Sequence, residues 1–384
     1  MKVALMGFGT VGSGCYEALK AADGIDVKSI LELRDLPEEV EPLHVRDIRD
    51  ILEDSEIDVV AECMGGFQPA MDFMVQAMQH GKHVVTPNKA LVSKYYDDLM
   101  DCAAENGVEF RFTPAAGGGI PWLYNLQRQT RCDFITELYG IVNGTCNFIL
   151  DKMHDEGADF DTVLKEAQGL GYAERDPSAD IKGFDTLRKC VISSNLAYST
   201  RIHEDNVPVL GIDRIKAEDV RFFTENGYVC RLLMNSGVTG NKVYAYVEPA
   251  LVRSDALEAN VKQNYNLITL TGQNVGTLSF YGQGAGKMPT GTSLAQDIID
   301  IKEGIGFARA AASGAVLPEV DNSGVCHRYY FRACEECLPE LREYAESVTE
   351  QDGWYYVITK PVTVEFAHSF ANAHPKAFAA GIRE

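Results

Sequence analysis

Positive charge is scarce in this chain. It has 35 lysines and arginines against 56 aspartates and glutamates, a net charge of −21. No basic cluster interrupts that pattern, which excludes nucleic acid and anionic membrane surfaces as partners. No apolar run approaches the ~20 residues that cross a bilayer. A signal peptide is not expected either, because Lys2–Met6 (KVALM) already reads as a strand. The ten cysteines lack framework spacing, which argues against a disulfide scaffold and suits reduced thiols in a cytoplasm. There is no internal repeat and no low-complexity linker. What remains is a globular composition, 46% hydrophobic and 24% charged, and at 384 residues the chain is long enough for two or three cores.

Strands alternating with helices fill the first third. Apolar strands are expected at 2–6, 26–33, 57–62, 83–86 and 108–113, with helices after the first, third and fourth. This alternation predicts a Rossmann-type, doubly wound parallel sheet in an α/β fold. From about residue 130 the texture changes. A strand at 134–142 runs into Asn143-Gly-Thr-Cys-Asn147. Helices are expected at 148–156, 160–168 and 185–198, and strands within 243–252 and 267–281. A helix at 290–301 would be capped by Thr290 or Thr292. The expected organisation is a nucleotide-binding domain at 1–133, with about 283–305 packing back on it. A second α/β domain for substrate and dimerisation follows at 134–282, and a small C-terminal extension at 306–384. That extension reads as a β-α-β appendage, with a strand at 329–332, a helix near 338–348 and strand character at 353–364.

Gly7-Phe-Gly9-Thr10-Val11-Gly12 follows the first strand and opens a helix. In that context it is a dinucleotide-binding loop. Gly7 makes the tight turn, Gly9 lets backbone approach a pyrophosphate, and Gly12 allows close helix–strand packing. The helix start adds N–H groups and partial positive charge. The end of the second strand offers both an acid for a ribose 2′-hydroxyl, Glu32, and a base for a 2′-phosphate, Arg34. The choice between NAD and NADP stays open, leaning to NADP.

The densest chemistry lies in residues 167–189, AQGLGYAERDPSADIKGFDTLRK. Carboxylates and a lysine beside glycines suit a small zwitterion. A helix beginning near Gly183 would put Asp185 and Lys189 on one face at i and i+4. Taken singly, these are a surface ion pair and an Asp176-Pro177 turn. Lys89 and Lys189 are both candidate proton donors for reducing a carbonyl.

Taken together the motifs resemble homoserine dehydrogenase. The family's substrate-loop signature is matched at Ala167, Gly171, Tyr172, Ala173, Asp176, Pro177, Asp180, Ile181, Gly183, Asp185 and Lys189. Four further segments resemble the family in the same order: Thr86-Pro-Asn-Lys89-Ala-Leu91, Gly117-Gly-Gly-Ile-Pro121, Asn143-Gly-Thr-Cys-Asn-Phe-Ile-Leu150 and Gly282-Gln-Gly-Ala-Gly-Lys-Met-Pro-Thr290. The resemblance implies an NAD(P)-dependent interconversion of L-aspartate 4-semialdehyde and L-homoserine, in threonine and methionine biosynthesis, by a cytoplasmic homodimer. It makes Lys189 the proton donor and places Lys89 beside substrate and nicotinamide. It makes Glu174 and Asp185 contacts of the substrate, with Asp180 supporting the lysine. Tyr172 and Thr145 would line the substrate site. Gly65, Gly144, Gly284 and Gly286 would line the cofactor cleft.

Two segments depart from the family. Where many members carry a glutamate that helps hold a monovalent cation, this chain has Thr113, followed by Pro114. Sodium or potassium would then rest on the carbonyls of Ala116, Gly118 and Ile120, and weak or no binding is expected. The tail after Gly304 is a shortened relative of a regulatory ACT module or, preferably, a structural extension or dimerisation arm. Its Cys326-His327 … Cys334-x-x-Cys337 cluster has zinc-like spacing, but Glu335-Glu336 read better as an acidic helix start. Two alternatives stand beside the main reading: a related oxidoreductase acting on another amino-acid-like aldehyde, and a non-catalytic dinucleotide sensor.

Overall fold

The computed structural model describes residues 1–308 and 318–383. The chain forms two compact units. The first comprises Met1–Asp133, Asn195–Arg201 and the described part of Gly282–Leu317; the second holds the rest.

In the first unit the strands are β1 Lys2–Met6, β2 Asp26–Leu31, β3 His44–Val45, β4 Ile57–Glu62, β5 His83–Val85 and β6 Phe110–Arg111. They form one sheet in the order β3-β2-β1-β4-β5-β6, with every pair parallel. The expected doubly wound sheet is borne out. Strand order reverses between β1 and β4, so a cleft opens beyond their carboxyl ends. The strand expected at 108–113 is shorter, because Thr113–Ala115 forms a 3-10 turn around Pro114.

Val3, Leu5, Ile30, Val59 and Val85 form the core together with Leu294 and Ile298 of the helix Lys287–Lys302. That helix begins earlier than expected and is not capped by Thr290 or Thr292: Gly286 is the N-cap and no side chain caps it. Pro289 fits in its first turn, where a missing N–H leaves no intrahelical bond unmade. The helix crosses the helix Thr10–Leu19 at a pair of glycines. A Cβ on Gly291 would lie 2.4 Å from the Gly14 carbonyl carbon, and one on Gly14 would lie 2.3 Å from the Lys287 oxygen.

The second unit is built on one large mixed sheet. Its strands are β7 Ile135–Ile141, β8 Tyr228–Thr239, β9 Lys242–Arg253, β10 Tyr265–Gly272, β11 Gly276–Gln283, β12 Glu319–Val320, β13 Cys326–His327, β14 Tyr329–Ala333, β15 Ala345–Gln351, β16 Trp354–Thr359, β17 Val362–Thr363 and β18 Phe378–Ile382. The main path runs β11-β10-β7-β8-β9-β18-β14-β16-β15; β12 pairs with β9, and β13 with β17 apart from it. Strand β8 and the helix Ala217–Glu225 were not anticipated from the sequence.

The C-terminal part also differs from its β-α-β expectation. Strand β14, a helix at Leu338–Leu341, β15, β16, a helix at Val364–Ala373 and β18 follow in βαββαβ order. This is the split-βαβ motif, with local strand order β18-β14-β16-β15. The helix expected near 338–348 stops at Leu341, and Ala345–Gln351 is a strand. Asp352 and Gly353, both at positive φ, make the tight turn that joins it to β16. An Asp-Gly pair between β-rich runs carried that signal.

Two buried clusters bind this part to the rest of its unit. Asp219, on the helix Ala217–Glu225, accepts from the Tyr330 hydroxyl at 2.6 Å and from Arg332. Glu248 of β9 accepts from Tyr329 at 2.8 Å and pairs with His327 at 2.8 Å and His368 at 2.9 Å. Burial alone would raise the Glu248 carboxyl, but the two imidazoles outweigh it and hold it at about 2. A depressed carboxylate contributes stability above its unfolded value, and that contribution is lost as pH falls toward its folded value. Replacing Glu248 with alanine is therefore expected to destabilise the second unit by roughly 2–4 kcal/mol at pH 7, and by less near pH 3. Urea melts at both pH values would check this; equal losses at the two would refute it.

Among the described residues, no helix is long and apolar enough to cross a membrane. No group of His, Cys, Asp or Glu among them is placed to hold a metal ion. The zinc-like residues are dispersed: His327 engages Glu248, while Cys334 and Cys337 are joined as a disulfide. That disulfide corrects the expectation of uniformly reduced thiols, since a Cys-x-x-Cys turn brings two Cα atoms to 5.5 Å, within bonding range.

Candidate active site

The dinucleotide end is built by backbone. Gly7 sits at φ +95°, its N–H bonded to Leu31 O at 2.8 Å, so the turn leaves β1 beside β2. A Cβ on Gly12 would lie 2.2 Å from the Gly7 oxygen, so the helix can start this close to the strand only with glycine there. Thr10 and Val11 open that helix, and Gly9, its N-cap, places no side chain on the first amides. Those N–H groups are the donors a pyrophosphate needs.

At the end of β2, Glu32 accepts from the amides of Phe8 at 3.1 Å, Leu33 at 3.0 Å and Arg34 at 3.3 Å. The Arg34 guanidinium pairs with it at 2.9 Å and holds its carboxyl at about 2, against the effect of partial burial. A cleft of about 440 Å³ lies here, lined by Phe8, Tyr16, Glu32, Arg34 and Lys287 among others.

A second network organises the ends of β4 and β5. Glu62 is fully buried and accepts from the amides of Met64 at 2.7 Å and Gly65 at 3.0 Å, and from the Thr86 hydroxyl at 2.6 Å. Thr86 in turn accepts from Asn88 N at 3.0 Å. Asn88 donates its side-chain amide to Gly66 O at 2.7 Å and caps the helix Lys89–Lys94. One buried carboxylate thus fixes both the Gly65 loop and the start of the helix that carries Lys89. Neither Glu62 nor Asn88 was singled out from the sequence. An acid at the carboxyl end of a central parallel strand was the available signal.

The Gly282–Gly286 loop packs on the loop after β6. Gly119 N donates to Gln283 O at 3.2 Å, and a Cβ on Gly118 would collide with the Gly284 backbone. Of the carbonyls considered for a cation, Gly118 O accepts from Ser293 at 2.7 Å and Ile120 O from Trp122 N at 2.7 Å. Thr113 donates both its N–H and its hydroxyl to Asp297, at 3.0 and 2.8 Å. Burial pushes that carboxyl up to about 7. Thr113 brings no charge to these carbonyls, each of which has a second lone pair beside the hydrogen bond it accepts.

In the second unit, the substrate-loop residues converge on the start of the helix Gly144–Glu156. Lys189 and Asp185 lie one turn apart on the helix Phe184–Tyr198, both buried, with Nζ 2.6 Å from Asp185 Oδ2. The same Nζ donates to Val142 O at 2.6 Å. Asn143 Nδ2 reaches Asp185 Oδ2 at 2.8 Å and Asp180 Oδ1 at 2.7 Å. The Thr145 hydroxyl donates to Tyr172 O at 2.6 Å, and the Tyr172 ring meets Phe148 edge-on at 5.1 Å. Gly144 opens its helix against Asn264, whose oxygen leaves no room for a Cβ. Glu174 is exposed on the loop, its carbonyl held by Gln168 at 3.0 Å. Asp176 accepts from Ser178 N at 3.1 Å and shapes the turn after it.

Two family models cover most of the chain. The homoserine dehydrogenase model matches residues 121–299, and the model of that enzyme's NAD-binding domain matches residues 7–113. The homoserine dehydrogenase of Synechocystis is 38% identical over 316 residues, 78% of this chain and 73% of its own length. The chain belongs to the homoserine dehydrogenase family. The Corynebacterium glutamicum homoserine dehydrogenase is 34% identical over 370 residues, 91% of this chain and 83% of its own. A crystal structure of a homoserine dehydrogenase from Thiobacillus denitrificans superposes with a TM-score of 0.87 at 30% identity, covering 100% of this chain and 98% of that one. As a member of this family the chain is an oxidoreductase with a nicotinamide dinucleotide cofactor.

Proposed function

We propose that the chain interconverts L-aspartate 4-semialdehyde and L-homoserine, within threonine and methionine biosynthesis. The observation that carries this reading is the buried Lys189–Asp185 pair at 2.6 Å, a cation kept from water beside a fixed carboxylate. The bound nicotinamide supplies or takes the hydride. Lys189 gives its proton to the nascent alkoxide in reduction and takes it back in oxidation. Asp185 and Glu174 hold the substrate ammonium. Thr145 and Tyr172 line the substrate, and Asp180 supports the lysine through Asn143. No step is assigned to an alkali ion. Steady-state turnover of homoserine with NADP and with NAD tests the proposal, and no turnover with either would overturn it.

Cofactor choice rests on Glu32 and Arg34. NADP is the preferred form in this reading, with Arg34 turning from Glu32 to the 2′-phosphate; Glu32 would meet a 2′-hydroxyl in NAD. Arg34→Ala is then expected to lower kcat/KM for NADP about tenfold or more while leaving NAD within about threefold. Equal losses with both cofactors would reject Arg34 as the reader.

The assembly we propose is a homodimer through the second unit. Its β10–β11 edge exposes Tyr281 and Val275, with Phe134 nearby. The cytoplasm is the proposed setting, and eight cysteines are free thiols.

A further inference from the structure

Asn143 does more in this structure than a helix cap requires. Its Oδ1 caps the helix Gly144–Glu156 by accepting from Cys146 N at 2.8 Å. Capping uses only that oxygen. Both hydrogens of Nδ2 go elsewhere, one to Asp180 Oδ1 at 2.7 Å and one to Asp185 Oδ2 at 2.8 Å. The orientation of the amide is fixed by these partners, since a backbone N–H can only donate and a carboxylate only accepts. Asp185 Oδ2 is also an atom that holds Lys189 Nζ, and Nζ donates as well to the carbonyl of Val142, the residue just before Asn143. Asn143, Asp185 and Lys189 are all less than a tenth exposed.

Two carboxylates sharing one amide, Asp185 buried and Asp180 half-buried, oppose each other's ionisation. A neutral group that donates to both relieves that opposition and adds no charge of its own. It also fixes the oxygen that aims the lysine. We propose that Asn143 is a positioning residue for the proton transfer: its amide clamps Asp180 and Asp185 and thereby sets the orientation and proton affinity of Lys189. This rests on Lys189 as the proton donor.

Asn143→Asp is the informative variant. Its carboxylate can still cap the helix, but it replaces two donors by a third negative charge. More negative charge raises the pKa of the lysine. Oxidation of homoserine needs the unprotonated amine, so the midpoint of kcat/KM against pH is expected to rise by about one unit, with kcat at pH 7 about tenfold lower. Asn143→Ser keeps a capping oxygen and adds no charge. It is expected to lower kcat about tenfold with a smaller shift of the midpoint. Unchanged dinucleotide affinity and melting temperature would show that each variant is folded. Competitive acetylation of Lys189 across pH, read by mass spectrometry, reports its proton affinity without turnover.

A raised Lys189 pKa in Asn143→Asp supports the clamp even if homoserine is not turned over, in which case the reaction assignment alone fails. Wild-type pH midpoint, kcat and acetylation profile in both variants would reduce Asn143 to a cap and overturn the proposal. Should Asn143→Asp not fold, wild-type kcat in Asn143→Ser would overturn it equally.

Discussion

Lys189→Ala is expected to lower kcat for homoserine oxidation by about 10³-fold, with dinucleotide affinity unchanged within about twofold. The loss follows from geometry. Nζ is largely buried and held by Asp185 and the Val142 carbonyl, where a solvent molecule is a poor substitute for a positioned amine. Alanine also leaves the Asp185 carboxylate without its cation, and removing one partner of a buried pair costs about 3–5 kcal/mol. A fall in melting temperature should therefore accompany the fall in rate. Lys189→Arg separates the two effects. It keeps the charge but cannot give up its proton near neutral pH, so turnover should stay low while stability largely recovers. Steady-state kinetics, a fluorescence titration of the dinucleotide and a thermal melt on both variants check this. Turnover unchanged in the alanine variant would remove Lys189 as the donor.

Gly291→Val should act on the fold through a backbone clash. At the crossing of the helices Thr10–Leu19 and Lys287–Lys302, backbone meets backbone, and a Cβ at 291 would stand 2.4 Å from the Gly14 carbonyl carbon. A clash with a flexible side chain can relax, but this one can relax only if a whole helix moves. Overpacking commonly costs about 1–3 kcal/mol, and a rigid contact of this kind belongs at or above the upper end. For a unit of this size that is a drop of roughly 6–12 °C in melting temperature. The displaced helix carries Ser293, which bonds Gly118 O, and begins after Gly286, so the loops beside the cofactor cleft would shift as well. Gly169→Ala is the control: nothing lies within 4 Å of a Cβ built there. Its melting temperature should stay at the wild-type value or rise slightly. Differential scanning calorimetry of the two variants checks the contrast.

What could be read from the sequence was what is local. The glycine loop, the helix carrying Asp185 and Lys189, and the strands of the parallel sheet are each specified within a few residues of themselves. The Asp352-Gly353 turn was equally local, lying between the helix expected near 338–348 and the strand character at 353–364. The buried clusters were beyond reach for a different reason. Glu248 finds His327 79 residues away and His368 120 residues away, and no periodicity encodes such a meeting. Asn143 was visible as part of a motif, but its second role depends on Asp180 and Asp185, which reach it only once the loop of residues 171–183 has folded back.

Strand β18 lies between β9 and β14, yet it is made last. On a ribosome adding roughly 5–20 residues per second, the far edge of β9 waits several seconds for Phe378–Ile382 to emerge. Until then the Ala250–Leu251 end of that edge lacks its partner, while Val247 is already bonded to Pro208 and Leu210, and an open strand end of this kind recruits neighbouring chains. Nascent chains that stall shortly before residue 378 should therefore be the ones that chaperones must hold.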